Sequence, residues 1–365
     1  MAHIDSIRGI AALLVAFLHI CEAYLQIPAA KTHGTFLYEI AYQLNIGQVG
    51  VIAFFAISGF VICPTLKGGR YDGARNFLIS RFFRLFPAFW ISMVLALLVL
   101  VIWPGKTIDM LQVLGNIPMF YSFFHVEPLL RLYWTLEVEL IFYFLCLTLF
   151  LCGWLHKPLY LFFVGLLLMG ASKWIFSRGD IVREIENALG GNWPYLPLNL
   201  CIMLWGGLFR IWYDDRQRMC TLGSISIPVG SLTFGLLLAI LWQPLVLLCT
   251  WIVQGKLWAL HEMIQYFLGL GLFVTGALYI KLNNRFLVWL GTISYSIYLL
   301  HPIAIYGLLT LISTKLPDWG NWHLVVYLLV CSLLAILLAG LVYHCVEKPA
   351  IKIGRYLQNR QASSI

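Results

Sequence analysis

Ten stretches of the sequence, near 4–25, 45–66, 81–103, 134–154, 157–176, 196–213, 225–253, 259–281, 286–313 and 323–345, are each long and apolar enough to cross a bilayer. A hydrocarbon core of ~30 Å takes about 20 mostly apolar residues in helical form. This recurrence limits the fold to an all-α polytopic membrane helix bundle of about ten transmembrane helices. Composition agrees: of the 365 residues 61% are hydrophobic and only 11% charged, and the mean hydropathy is +0.86, far from soluble domains. The segment 225–253 is long and contains Pro244, so it reads as one kinked helix or two short ones.

Charge decides between those two readings. With ten spans and both termini inside, 16 of the 24 Lys and Arg residues fall in cytoplasmic segments. Splitting 225–253 in two would reverse that bias, against the positive-inside rule. The net charge of +8 is therefore a matter of membrane orientation, and no basic patch with interleaved aromatics points to nucleic acid. Residues 1–345 read as one transmembrane domain and 346–365 as a short basic cytoplasmic tail. The N-terminal apolar run has no small-residue cleavage signal and reads as a retained first helix. Seven of the nine cysteines lie in apolar stretches, and none has the spacing of a zinc site or a redox pair. No metal is expected.

Ionisable residues inside apolar helices are expensive and usually line a polar cavity. Arg8 and His19 are eleven positions apart, which on an α-helix is about 16.5 Å and three turns plus roughly 20°, so they share a face. Taken singly, Arg8 reads first as an orientation charge and His19 as an interhelical hydrogen-bonder; together they point to a polar cavity. In "RFFRLFPAFW", Arg81 and Arg84 sit at the cytoplasmic start of the third span, as orientation charges or as a phosphate clamp, since guanidinium groups bind phosphate oxygens bidentately. "YWTLEVELIFY" places Glu137 and Glu139 in the fourth span, pointing in different directions. "SYSIYLLHP" places His301 in the ninth, where a core hydrogen-bonding role is the simpler reading. Under the ten-span topology Arg8, Arg81 and Arg84 lie at the inner face, whereas His19, Glu139 and His301 lie in the outer half of the membrane.

Together these residues resemble the acyltransferase-3 family of bacterial multipass membrane acyltransferases. The resemblance rests on Arg8 and His19 with ten residues between them, on "FFAISGFVI" with Ser58, Gly59 and Phe60, and on the Arg81/Arg84 pair. It continues through "WTLEVELIFY", where Glu139 is the residue matched, "SYSIYLLHP", and "VEKPA" with Glu347 and Pro349. The resemblance implies transfer of an acyl group, most often acetyl, from acyl-CoA to an extracytoplasmic acceptor across a bacterial inner membrane. The acceptor is typically a hydroxyl of a glycan or glycolipid, such as lipopolysaccharide O-antigen or exopolysaccharide.

On that basis acetyl-CoA or another acyl-CoA is the donor substrate, its phosphates on Arg81 and Arg84 and its pantetheine arm running past Arg8. His19 is the expected base for the acceptor hydroxyl, a role suited to a group that titrates near neutrality. Glu139 would orient it, with Glu22, one turn beyond, as a rival. Direct transfer and an acyl-histidine intermediate are both consistent with these residues. A multipass transporter or flippase of a glycan or lipid precursor is the alternative class, but the inverted repeats and paired broken helices of transporters are not evident.

Overall fold

The computed structural model describes residues 1–27, 36–102, 108–255, 257–315 and 317–362. The helices in chain order are α1 (Ala2–Tyr24), α2 (Phe36–Gln43), α3 (Ile46–Ile62), α4 (Arg70–Ile102), α5 (Met110–Asn116), α6 (Trp134–Leu151), α7 (Pro158–Phe176), α8 (Gly179–Leu189) and α9 (Leu196–Asp214). A hairpin of β1 (Met219–Leu222) and β2 (Ile225–Pro228) follows, and then α10 (Val229–Gln254), α11 (Leu257–Leu278), α12 (Arg285–Thr292), α13 (Ser294–Thr314), α14 (Leu324–Val342) and α15 (Lys348–Ala362). Among the described residues nine helices are long and apolar enough to span a membrane, and the segment expected at 259–281 is the helix α11. Of the basic residues expected outside, Lys31, Lys106 and Lys256 lie outside the described residues.

Four boundaries differ from the sequence expectation. Residues 225–228 form the second strand of the hairpin, turned at Gly223 with φ +61°. From Val229 a single helix then runs through Pro244, so 225–253 holds one span. The helix that carries the third span begins at Arg70, ahead of residue 81, which puts Arg81 and Arg84 well inside a 33-residue helix. The expected span 286–313 is broken at Ile293 into α12 and α13. A π-helical turn at Tyr343–Glu347 carries α14 directly into α15, so the tail is helical as far as Ala362.

The chain forms two compact units. The first comprises Met1–Ala53, Leu78–Val113 and Leu268–Ile365. In it α1 buries Ile4, Ile7, Ala11, Val15 and Leu18, a stripe at three- and four-residue spacing. The stripe continues into a core shared with α13 and α14, where Tyr24, Ile305, Leu309, Tyr327 and Cys331 pack together. The phenols in this core stay satisfied: Tyr24 donates to the Trp322 carbonyl at 3.2 Å and Tyr327 to that of Trp319 at 2.6 Å. At the other end of α1, Gly291 of α12 lies so close that a Cβ there would collide with the Asp5 carbonyl. Small residues at such crossings let helix backbones approach.

The second unit comprises Phe54–Phe77 and Leu114–Phe267. Its centre is α9, buried from Asn199 to Phe209. Gly59, the glycine of the "SGF" stretch, lies on the Met203 backbone, where any side chain would overlap the carbonyl. Trp205 is fully buried and its indole N–H donates to the Thr233 carbonyl at 3.1 Å.

Candidate active site

Three helices of the first unit bring four arginines to one cavity of about 310 Å³. Arg8 comes from α1, Arg81 and Arg84 from α4, and Arg355 from α15, with Asp5, Ser80, Thr292 and Gln358 also on the wall. Asp5 is the one carboxylate among these, 4.0 Å from Arg8, so the lining carries a clear positive excess. The sequence placed Arg8, Arg81 and Arg84 at a common depth, and in the structure they share this cavity. Arg355 and Gln358 were missed, because in the sequence Arg355 reads only as one more orientation charge of the tail.

One arginine of the R-x-x-R pair, Arg84, has a buried acidic partner. Arg84 is ion-paired through Nη1 with Oε1 of Glu347, a residue with no exposed surface. The other carboxylate oxygen of Glu347 accepts from Ser296 Oγ at 2.6 Å, and the Arg84 guanidinium sits 5.9 Å from the Tyr295 ring centre. Tyr295 in turn donates to the Leu85 carbonyl at 2.9 Å. The "SYS" and "VEK" stretches thus meet around one guanidinium. The π-helical turn that delivers Glu347 is a form common at functional sites.

The second cluster in this unit joins two histidines. His19 Nδ1 lies 2.8 Å from His301 Nε2, with the ring planes 12° apart. His301 is fully buried and its Nδ1 lies 3.2 Å from the Ile297 carbonyl. The next residue, Pro302, is inside the helix and cannot donate to the turn before it. The same two helices serve both places: α1 carries Arg8 and His19, and α13 carries Ser296 and His301 five residues on, about 7.5 Å along the axis. The sequence put both histidines at one depth but gave no sign that they touch.

Glu139 belongs to the second unit. Its Oε1 accepts from Tyr143 Oη at 2.5 Å, one turn along α6. Glu137 takes the other direction and is buried, accepting from Ser122 Oγ at 2.7 Å and from the Ser122 backbone N–H at 3.3 Å. It ties the loop before α6 to the helix. Glu22 is exposed on α1. Among the described residues no group of three or more His, Cys, Asp or Glu side chains is arranged to hold a metal ion.

Comparison with known proteins settles the class. The family model described as an acyltransferase domain, of the acyltransferase-3 type, matches residues 1–344. The chain belongs to the acyltransferase-3 family. Nodulation protein 10 of Rhizobium leguminosarum bv. viciae is similar to it, 24% identical over 98% of this chain and 95% of that protein. No solved structure matches. Family membership and the nine apolar helices among the described residues together make the chain a multipass membrane acyltransferase. The match takes in Arg8, His19, Arg81, Arg84, Glu139 and His301, and stops just before Glu347 and Arg355.

Proposed function

We propose that this acyltransferase takes an acyl group, acetyl before longer chains, from cytoplasmic acyl-CoA and passes it to a hydroxyl of an extracytoplasmic glycan or glycolipid. Lipopolysaccharide O-antigen and exopolysaccharide are the acceptors of first choice, and a bacterial inner membrane with both chain termini inside is the setting. The observation that carries this reading is the convergence of Arg8, Arg81, Arg84 and Arg355 on one cavity. Coenzyme A carries a pyrophosphate and a 3′-phosphate, and several forked guanidinium groups in a confined space suit such a polyanion better than any single anion. Arg8 stands at the end of α1 nearest the cavity, and its helix leads to His19.

In the reaction the acceptor oxygen attacks the thioester carbonyl, the C–O bond forms and the C–S bond breaks. His19 takes the hydroxyl proton and returns it to the departing sulfur, which leaves as the thiol of CoA. Glu139 keeps its place as a catalytic carboxylate on the family resemblance. The reading is tested by incubating purified protein with acetyl-CoA and measuring thiol release with and without surface polysaccharide from the source cells. Acceptor-dependent release, together with glycan acetylation seen by NMR in the parent strain and lost in a deletion strain, is the expected result. Thiol release that no glycan extract stimulates, with unchanged glycan acetylation in the deletion strain, would overturn the acceptor assignment.

A further inference from the structure

We infer that His301 is the positioning residue that fixes the tautomer of His19, so that Nε2 of His19 is the nitrogen that takes the proton. The inference rests on the reading of His19 as the base. A backbone carbonyl can only accept, so the contact of His301 Nδ1 with the Ile297 carbonyl at 3.2 Å makes that nitrogen the donor. A neutral imidazole carries one N–H, and Nε2 of His301 is therefore left as an acceptor. The short contact to His19 Nδ1, at 2.8 Å, then requires the hydrogen to be on His19. With its one proton on Nδ1, neutral His19 holds its lone pair on Nε2.

Three features make this arrangement stable. His301 has no exposed surface, so water does not compete for either of its nitrogens. The Ile297 carbonyl lies one turn back on the same helix, so the helix itself sets the orientation of the His301 ring. Tyr298, whose ring centre is 5.9 Å from that of His301, closes one side. When His19 takes a second proton, Nδ1–H still has a neutral acceptor in front of it. The proton goes no further, because passing it on would charge an imidazole sealed from water. His301 therefore does for His19 what a buried carboxylate does in a serine-hydrolase triad, but without a negative charge.

The test compares His301→Leu, His301→Gln and His19→Gln in the full-length purified enzyme, with kcat, KM for acetyl-CoA and melting temperature measured for each. Gln can present its amide oxygen to Nδ1–H of His19, whereas Leu fills the space with no acceptor. His301→Leu is expected to lose at least ~10-fold in kcat with KM for acetyl-CoA unchanged, and His301→Gln to recover most of that loss, since tautomer control acts on proton transfer and not on donor binding. His19→Gln reports separately on the underlying reading and is expected to be nearly inactive. If His19→Gln is inactive while folded His301→Leu turns over at the parental rate, the positioning role is wrong and the base survives. Equal losses in folded Leu and Gln variants would also overturn it. Activity close to parental in His19→Gln would remove the base itself.

Discussion

Arg81 and Arg84 are three residues apart and equivalent in the sequence, and the structure pairs Arg84 with the buried Glu347, 263 positions away. Removing Arg84 strands a carboxylate with no exposed surface, and breaking such a pair costs about 3–5 kcal/mol. Arg84→Ala is therefore expected to lower the melting temperature of the purified protein as well as its affinity for CoA. Adding Glu347→Gln removes the stranded charge and should restore much of the stability and none of the affinity, a split visible by thermal unfolding and CoA titration on the same samples. A pure phosphate clamp would give full stability in Arg84→Ala; a pure structural pair would give CoA affinity that recovers with stability. At His19, Ala and Gln replacements should both fold and insert, and each should lose acyl transfer by roughly 10²–10⁴, the usual contribution of a general base. The sequence could name His19 and both arginines, because an ionisable group in an apolar run stands out by itself. It could not name their partners, because Glu347 and His301 are defined by contacts between helices distant in the chain.

At the scale of elements, the break between α12 and α13 is what hydrophobicity hides. Residues 286–313 contain no Asp, Glu, Lys or Arg, and a hydropathy reading has no means of splitting them. The split follows from packing: Gly291 lies against the Asp5 backbone, and Gly9 faces Leu290 and Gly291 at about 2.9 Å from where a side chain would begin. Asn284 starts the short helix by accepting from the Phe286 and Leu287 N–H groups at 2.8 and 3.4 Å. Gly291→Ala should push α12 from α1 and destabilise the protein by about 1–3 kcal/mol, the usual range for overpacking. Thr292 and Asp5 line the arginine cavity, so weaker CoA binding should accompany the loss. Gly307 of α13 has open space where a side chain would go. Gly307→Ala is the matched control and should be neutral or stabilise by roughly 0.5–1 kcal/mol through helix propensity. A drop in melting temperature for both variants alike would mean that helix interiors here simply resist substitution. The hairpin before α10 was legible in principle, as Gly223 and Ser224 form a two-residue turn with glycine first, but the apolar window from residue 225 absorbs its second strand.

For the whole molecule, the count of spans and the bias of Lys and Arg give an orientation that labelling can check. Single cysteines at Gly69 and Gln361 are expected to be shielded from an impermeant thiol reagent in intact cells, and one at Asp318 to react. The background must lack Cys152, Cys249 and Cys345, the exposed native thiols among the described residues. Labelling at Gln361 from outside would move the C-terminus across the membrane, and with it Arg355 and the arginine cavity. Fold class was legible because length and hydropathy of helices are local properties of the sequence. The acyl donor assignment is not local, since it depends on α1, α4 and α15 converging. Equilibrium binding of CoA and of pantetheine, which lacks the nucleotide phosphates, to the purified parent and to Arg81→Ala tests it most directly. Loss of a charged hydrogen bond to phosphate contributes about 1.5–3 kcal/mol, or roughly 10- to 150-fold. The expected result is a loss of that size for CoA with pantetheine unchanged; equal CoA affinity in the two proteins would contradict the assignment of this cavity to the acyl donor.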